Sequence, residues 1–260
     1  MKGIFPALSM DIRRAFGSIG FFLAAFGVCM VYYAGARTFF SYADILFMFK
    51  YATRGSSFNH VLLLFCALTY TTSFCNDWNS KYIRSVVARM GTRRYALCKI
   101  ISCALSSGTA MVLGIILFIL PLTLRIPLVD TSSRLANYQQ FITTLGGGFL
   151  LNGHFIMYFI VYIYLAFLAA AFWSVLGLCV SAYIPNKFVA LFTPFIGLYV
   201  LAYITSKFPI WLQLNEITNG DCIINGTFVS IIYATIFVAV LIACVGLLFY
   251  KTIERRISNE

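Results

Sequence analysis

Residues 79–100 read NSKYIRSVVARMGTRRYALCKI and carry Lys81, Arg84, Arg89, Arg93, Arg94 and Lys99, in a chain that is only 10% charged. Apolar runs of membrane-spanning character lie on both sides. Tyr82, Ile83, Val86, Val87 and Met90 recur at the spacing of one helical face, and Lys81, Arg84 and Arg89 fall off it. Gly91 then breaks the helix, and Thr92 is placed to cap the next. Arg93, Arg94 and Lys99 are expected beside lipid phosphates as the following span begins. The stretch is therefore a short amphipathic helix, a glycine break and a sharp return into the bilayer. Pattern alone leaves two readings: a helix resting on headgroups whose bases serve topology, or a helix that docks a partner.

The rest of the chain supports a membrane setting. Of 260 residues, 61% are hydrophobic and 17% aromatic, too apolar to be covered by the few charges available. Six apolar runs are long enough to cross a bilayer, at approximately 17–35, 60–76, 96–121, 154–182, 188–206 and 229–250. The fold expected is an all-α integral membrane protein, a single transmembrane domain over residues 1–260 with six spans. The net charge of +11 would suggest nucleic acid in a soluble protein. Here the bases sit at the edges of apolar runs, which points to orientation and anionic lipid instead.

With both termini inside, the inner side holds Lys2, Arg13, Arg14, the six bases of 79–100, Lys187, Lys251, Arg255 and Arg256. The outer side holds only Arg37, Lys50, Arg54, Arg125, Arg134 and Lys207. This bias sets the termini and residues 79–100 in the cytoplasm. "IRRAFGS" before the first span superficially resembles a twin-arginine export signal, but a cleaved signal leaves five further spans unexplained. The outer connections, about 36–59, 122–153 and 207–228, are long, while "YIPNK" at 183–187 makes spans four and five a tight hairpin. Residues 207–228 mix Trp211, Leu212 and Leu214 with Glu216 and Asp221, which suits either a re-entrant element or a surface loop. "NGT" at 225–227 has the form of a glycosylation sequon, without meaning in a bacterium.

No catalytic constellation is evident. The acids divide between the two sides (Asp11, Asp77, Glu254 and Glu260 inside; Asp44, Asp130, Glu216 and Asp221 outside), and none falls mid-span. His60 and His154 share no helix-spaced partner, and no metal-ligand, nucleophile-elbow or phosphate-loop motif occurs. "LGGGF" at 145–149 is a flexible turn. Most of the eight cysteines lie in apolar runs and read as small hydrophobes, with Cys75 near a helix end and Cys222 in an outer loop. A proton or sodium relay lacks its usual intramembrane acids, so any uphill transport must draw energy from elsewhere.

"SKYIRSVVARMGTRRYALCKI" resembles the loop after the second span in permeases of the type-2 ABC exporter class, with Gly91, Arg94 and Lys99 at the corresponding places. "MDIRRAFGS", 10–18, is similar to the basic in-plane helix before span one, and "LGLCVSAYIPNKFVALFTPF", 176–195, to the hairpin of spans four and five. The likeness extends over nearly the whole layout, though each motif is degenerate. It implies a transport subunit without an ATPase site, in the cell membrane of a bacterium, moving an amphiphilic substrate such as an antimicrobial peptide, drug or lipid. The partners implied are a P-loop ABC ATPase carrying ATP and Mg, a second permease subunit and membrane lipids, with no nucleic acid and no cofactor on this chain. Residues 82–90 become the coupling helix, with Ile83, Val86, Val87 and Met90 as docking face and Arg84, Arg89, Gly91 and Arg94 around it.

A pathway is sketched more faintly. Thr69, Thr72, Ser73 and Asn76 follow helical spacing in span two, and Tyr199 and Tyr203 offer aromatic walls in span five. The same small polar residues also serve helix–helix hydrogen bonding, as do Ser102, Ser106 and Thr109 in span three. A membrane-embedded enzyme or assembly factor, or an ATP-independent channel or scramblase, remains the alternative until a partner ATPase is found.

Overall fold

The computed structural model describes residues 4–41, 43–54, 59–129, 141–224 and 226–258, in which helices and turns are the only elements. The helices are α1 (Ile4–Phe16), α2 (Ile19–Ala36), α3 (Ile45–Arg54), α4 (Asn59–Ala67), α5 (Ser73–Asn79) and α6 (Tyr82–Met90). They continue with α7 (Thr92–Leu122), α8 (Gly147–Leu151), α9 (Phe155–Tyr183), α10 (Lys187–Thr205), α11 (Leu214–Asn219) and α12 (Thr227–Ser258). Among the described residues five helices, α2, α7, α9, α10 and α12, are long and apolar enough to cross a membrane. Lys2, Asp130, Arg134, Glu260 and the Asn225 of the sequon lie outside the described residues.

The expected second span is the exception. Residues 60–76 form no continuous helix: α4 stops at Ala67, five residues turn, and α5 starts at Ser73. Composition explains the break. "TYTTS", 69–73, is a run of hydroxyl and β-branched residues whose side chains compete for backbone partners. Thr69 Oγ1 donates to the Cys66 carbonyl at 3.0 Å, and Leu68 and Ser73 amides reach back only three residues, to Phe65 and Tyr70. Together α4 and α5 still connect the two ends of the bundle. His60 packs on Tyr199 near the end of α10, and Asp77 bonds Tyr95 near the start of α7.

Helices α7 and α9 form the centre, with α2, α10 and α12 around them. Without a strong hydrophobic drive between helices in lipid, close packing and hydrogen bonds must hold them together. Ser107 supplies both: its hydroxyl lies 2.6 Å from Ser174 Oγ and donates to the Ala170 carbonyl at 3.2 Å. A large core built on Tyr32, Phe49, Phe118, Phe159 and Trp173 fills the bundle towards the α3 end. A smaller one, with Ala15, Phe74, Ile83, Tyr95, Phe249 and Ile253, closes the opposite, Lys/Arg-rich end, called the basic end below. Phe188, Ile196 and Tyr203 on α10 and Ile232, Ile236 and Leu247 on α12 are exposed. Such outward apolar faces fit a lipid surround.

At the basic end, α1 is amphipathic, with Arg13 and Arg14 outside and Asp11 and Ala15 buried. Ser18 caps α2 by accepting from the Phe21 amide at 3.2 Å. Thr92 does not cap α7. It is the first helical residue, and Gly91, at φ 82° and ψ 153°, makes the corner without a side-chain cap. Only glycine adopts that backbone readily.

The far connection 207–228 is more than a surface loop. After a 3-10 turn at Ile210–Leu212, α11 buries Leu214 and Ile217 in the bundle. The "LGGGF" turn likewise ends in helix α8. Among the described residues every cysteine is free, and only Cys244 is exposed.

Candidate functional site

Three charged residues converge where α4 and α5 part. Lys99, about two turns into α7, is 2% exposed, and Asp11 and Asp77 are also buried. Lys99 Nζ lies 2.9 Å from Asp77 Oδ2 and 3.4 Å from Asp11 Oδ1. It also donates to Tyr70 Oη at 3.0 Å, and Tyr70 in turn donates to Asp11 Oδ1 at 2.8 Å. Tyr95 donates to Asp77 Oδ2 at 2.8 Å. The three ammonium protons and both phenols are thus engaged. Such satisfaction is what makes a charged group tolerable in a low-dielectric interior. One network ties α1, the break, α5 and α7 together.

Lys99 therefore does not sit by lipid phosphates, as its place in the basic stretch suggests. Asp11 and Asp77 are not loose inner-side acids either. Each is 22 residues or more from Lys99 in sequence, so no local pattern joins them.

Backbone proximity completes the arrangement. Gly20, in the first turn of α2, faces the Leu68 carbonyl, and a Cβ there would stand 2.4 Å from that oxygen. The break thus lies directly against α2. Ser106 of α7 reaches Thr69 Oγ1 at 3.4 Å from the other side. Beside the network opens a cavity of about 370 Å³, lined by Arg14, Thr69, Thr72, Ser73, Asn76 and Asp77 among others. Arg14 stands at 5.5 Å from the Tyr82 ring centroid, and a hydrogen bond to Tyr82 holds its guanidinium above its ordinary range. Ser73 Oγ is buried and has no hydrogen-bond partner.

Thr69, Thr72, Ser73 and Asn76 meet around this cavity, though not on one helical stripe, since the break separates Thr69 and Thr72 from the helix carrying Ser73 and Asn76. Tyr199 and Tyr203 are elsewhere: both are on α10, Tyr199 tilted against His60 and edge-on to Phe195, and Tyr203 82% exposed. Ser102 and Ser106 are fully buried in α7, while Thr109 bonds its own helix at Leu105.

Helix α6 is where residues 79–100 place it, with its apolar stripe turned inward and its bases outward. Ile83 is 3% exposed, and Val86, Val87 and Met90 pack half-buried on the same basic-end core. The apolar stripe joins the cluster that holds Phe74 and Tyr95 of this chain. Arg84 and Arg89 are exposed, as is Gly91, and Arg94 is half-buried. Arg256 of α12 secures the assembly beneath by donating to the Tyr183 carbonyl and lying 5.1 Å over the Trp78 ring.

The fold and its apolar exterior define a helical membrane protein. Comparison with family models, curated proteins and solved structures returns no significant match for this chain.

Proposed function

We propose that the chain is the membrane-embedded permease subunit of an exporter driven by a separate ATPase, moving an amphiphilic substrate out of the cytoplasm. The observation that carries the reading is the mechanical continuity between α6 and the broken helix. Helix α6 presents an outward polar face with Arg84 and Arg89, while its inner face is packed on the core. It is followed, across Gly91, by the helix that carries Tyr95 and Lys99. Those two side chains grip Asp77 at 2.8 and 2.9 Å, and Lys99 grips the Tyr70–Asp11 pair. A push on α6 is thereby delivered to the break and to the cavity beside it.

Discontinuous helices that line a cavity are a recurring means of forming a substrate site at membrane depth, because the freed backbone groups find polar company there. In this reading the basic end faces the cytoplasm, α1 lies in the inner interface, and α4 with α5 makes the sixth crossing. The ATPase meets the outer, basic face of α6, not its apolar stripe. A positively charged contact of that kind calls for an acidic rim on the ATPase. Two such chains, each over one nucleotide-binding subunit, complete the transporter.

The test is capture of the tagged chain from the membranes of the organism that makes it, with identification of what co-purifies. Near-stoichiometric recovery of a polypeptide bearing G-x-x-x-x-G-K-[ST] supports the reading. Recovery of the chain alone or with unrelated proteins overturns it.

A further inference from the structure

The far end of the bundle holds a second cavity, about 230 Å³, separated from the ionic network by the length of α4. Its floor is apolar and aromatic, with Tyr32, Phe49, Met111, Trp173 and Leu198. Its polar lining comes from three elements: Asn215, Glu216, Thr218 and Asn219 of α11, His60 of α4 and Thr53 of α3. Helix α11 is seated firmly over it by the buried Leu214 and Ile217, and the Leu145 amide donates to the Gly220 carbonyl at 2.9 Å. Gly220 itself abuts the cavity wall, since a Cβ there would stand 2.7 Å from the Tyr162 ring. The cavity is thus roofed by a fixed element and not by a passing loop.

Its chemistry is one-sided. Glu216 is the one charged side chain among the described lining residues. His60 Nδ1 is buried and has no hydrogen-bond partner, although its ring is held at 4.7 Å from Tyr199. Two amide side chains add further acceptors. Lys50 is not among the lining residues, but its buried ammonium lies 3.0 Å from the centroid of the lining Tyr162 ring, so a ligand body is placed on Trp173 and Met111 and away from that ring. A carboxylate, an unpaired imidazole nitrogen and aromatic faces all favour a donor-rich cation.

We propose that this cavity binds a small organic cation, a protonated amine on an apolar body. The ammonium donates to Glu216 and to His60 Nδ1, and the body lies on Trp173, Met111 and Leu198. The volume sits below the range of drug-sized pockets, about 300–1,000 Å³, so the ligand is a fragment-sized amine or the amine end of something larger. This site does not depend on an ATPase partner, and its binding can be measured on the chain alone.

Titration calorimetry of the full chain in neutral detergent, with phenethylamine and with its uncharged analogue 2-phenylethanol, tests the proposal. The expected result is saturable binding of the amine, about tenfold or more tighter than the alcohol, a margin of about 1.4 kcal/mol. Glu216→Gln should bring the amine down to the alcohol's affinity and leave the alcohol unchanged. Equal binding of the two probes by the unaltered chain, absence of saturable amine binding, or an amine affinity untouched by Glu216→Gln in a variant that melts like the parent would each overturn it.

Discussion

Lys99 Nζ, at the start of α7, lies 2.9 Å from Asp77 Oδ2, so one buried ammonium joins the two helices that flank α6. The pair is not isolated. Asp11 from α1 and the phenols of Tyr70 and Tyr95 complete its hydrogen bonds. Because two carboxylates share one ammonium, each member is held by the others, and removal of the cation strands both acids in the interior.

Lys99→Met is therefore expected to destabilise the chain by about 3–5 kcal/mol, the usual consequence of leaving a buried charge unpaired. Replacing Asp11 and Asp77 by Asn in the same molecule should restore most of the loss, since well-packed neutral groups often match a buried ion pair. Heating followed by size-exclusion detection of the surviving monodisperse protein measures both. A Lys99→Met variant that survives heat like the parent would contradict the network.

Gly20 packs against the Leu68 carbonyl, and Gly148 has nothing within 4 Å of the position a Cβ would take. Gly20→Val should force α2 away from the break and cost about 1–3 kcal/mol, as overpacking does. Gly148→Ala should be nearly neutral. The same heating assay compares them, and equal behaviour of the two variants would mean that α2 does not touch the break.

Cys222 is buried in the turn after α11, and burial pushes its thiol up from the ordinary value. A raised value means less thiolate at any given pH, and the thiolate is the reactive form. Labelling of Cys222 by a maleimide should be slow near neutrality and accelerate only above the pH at which an ordinary thiol reacts. Mass spectrometry of the labelled peptide over a pH series measures this, and fast labelling at neutral pH would place Cys222 on the surface.

Helix lengths and the amphipathic 82–90 segment were legible because each rests on a local period. The expected 96–121, 154–182 and 188–206 runs correspond to α7, α9 and α10 within a few residues. The break at 68–72 was not, because hydropathy averages over the window and the apolar run 61–67 carries the near-neutral "LTYTTS" with it. The signal lay in the hydroxyl run itself, which competes with a helical backbone. The ionic network was illegible for a different reason. Asp11, Asp77 and Lys99 each look like an ordinary flank of an apolar run, and only tertiary packing brings them together. An acid at the edge of an apolar run among many bases is the one hint that a partner is near. The facing of α6 is legible only in part: an apolar stripe says that something covers it, and this chain's own core buries Ile83 and half-buries Val86, Val87 and Met90.

Ile83 and the outer face of α6 should consequently separate in their effects. Ile83→Asp places a charge in the basic-end core, where Ile83 is 3% exposed, and should cost about 3 kcal/mol or more. Substitutions at the exposed Arg84 and Arg89 should leave melting nearly unchanged. If Ile83→Asp melts like the parent, α6 is not packed on the core.

The most direct test of the coupling account is ATP hydrolysis by the purified complex in proteoliposomes, with the parent chain and with Arg84→Glu together with Arg89→Glu. The account predicts that the variant inserts and melts as the parent does but loses substrate-stimulated ATP hydrolysis and association with the ATPase. Undiminished stimulation and association in that variant would contradict it.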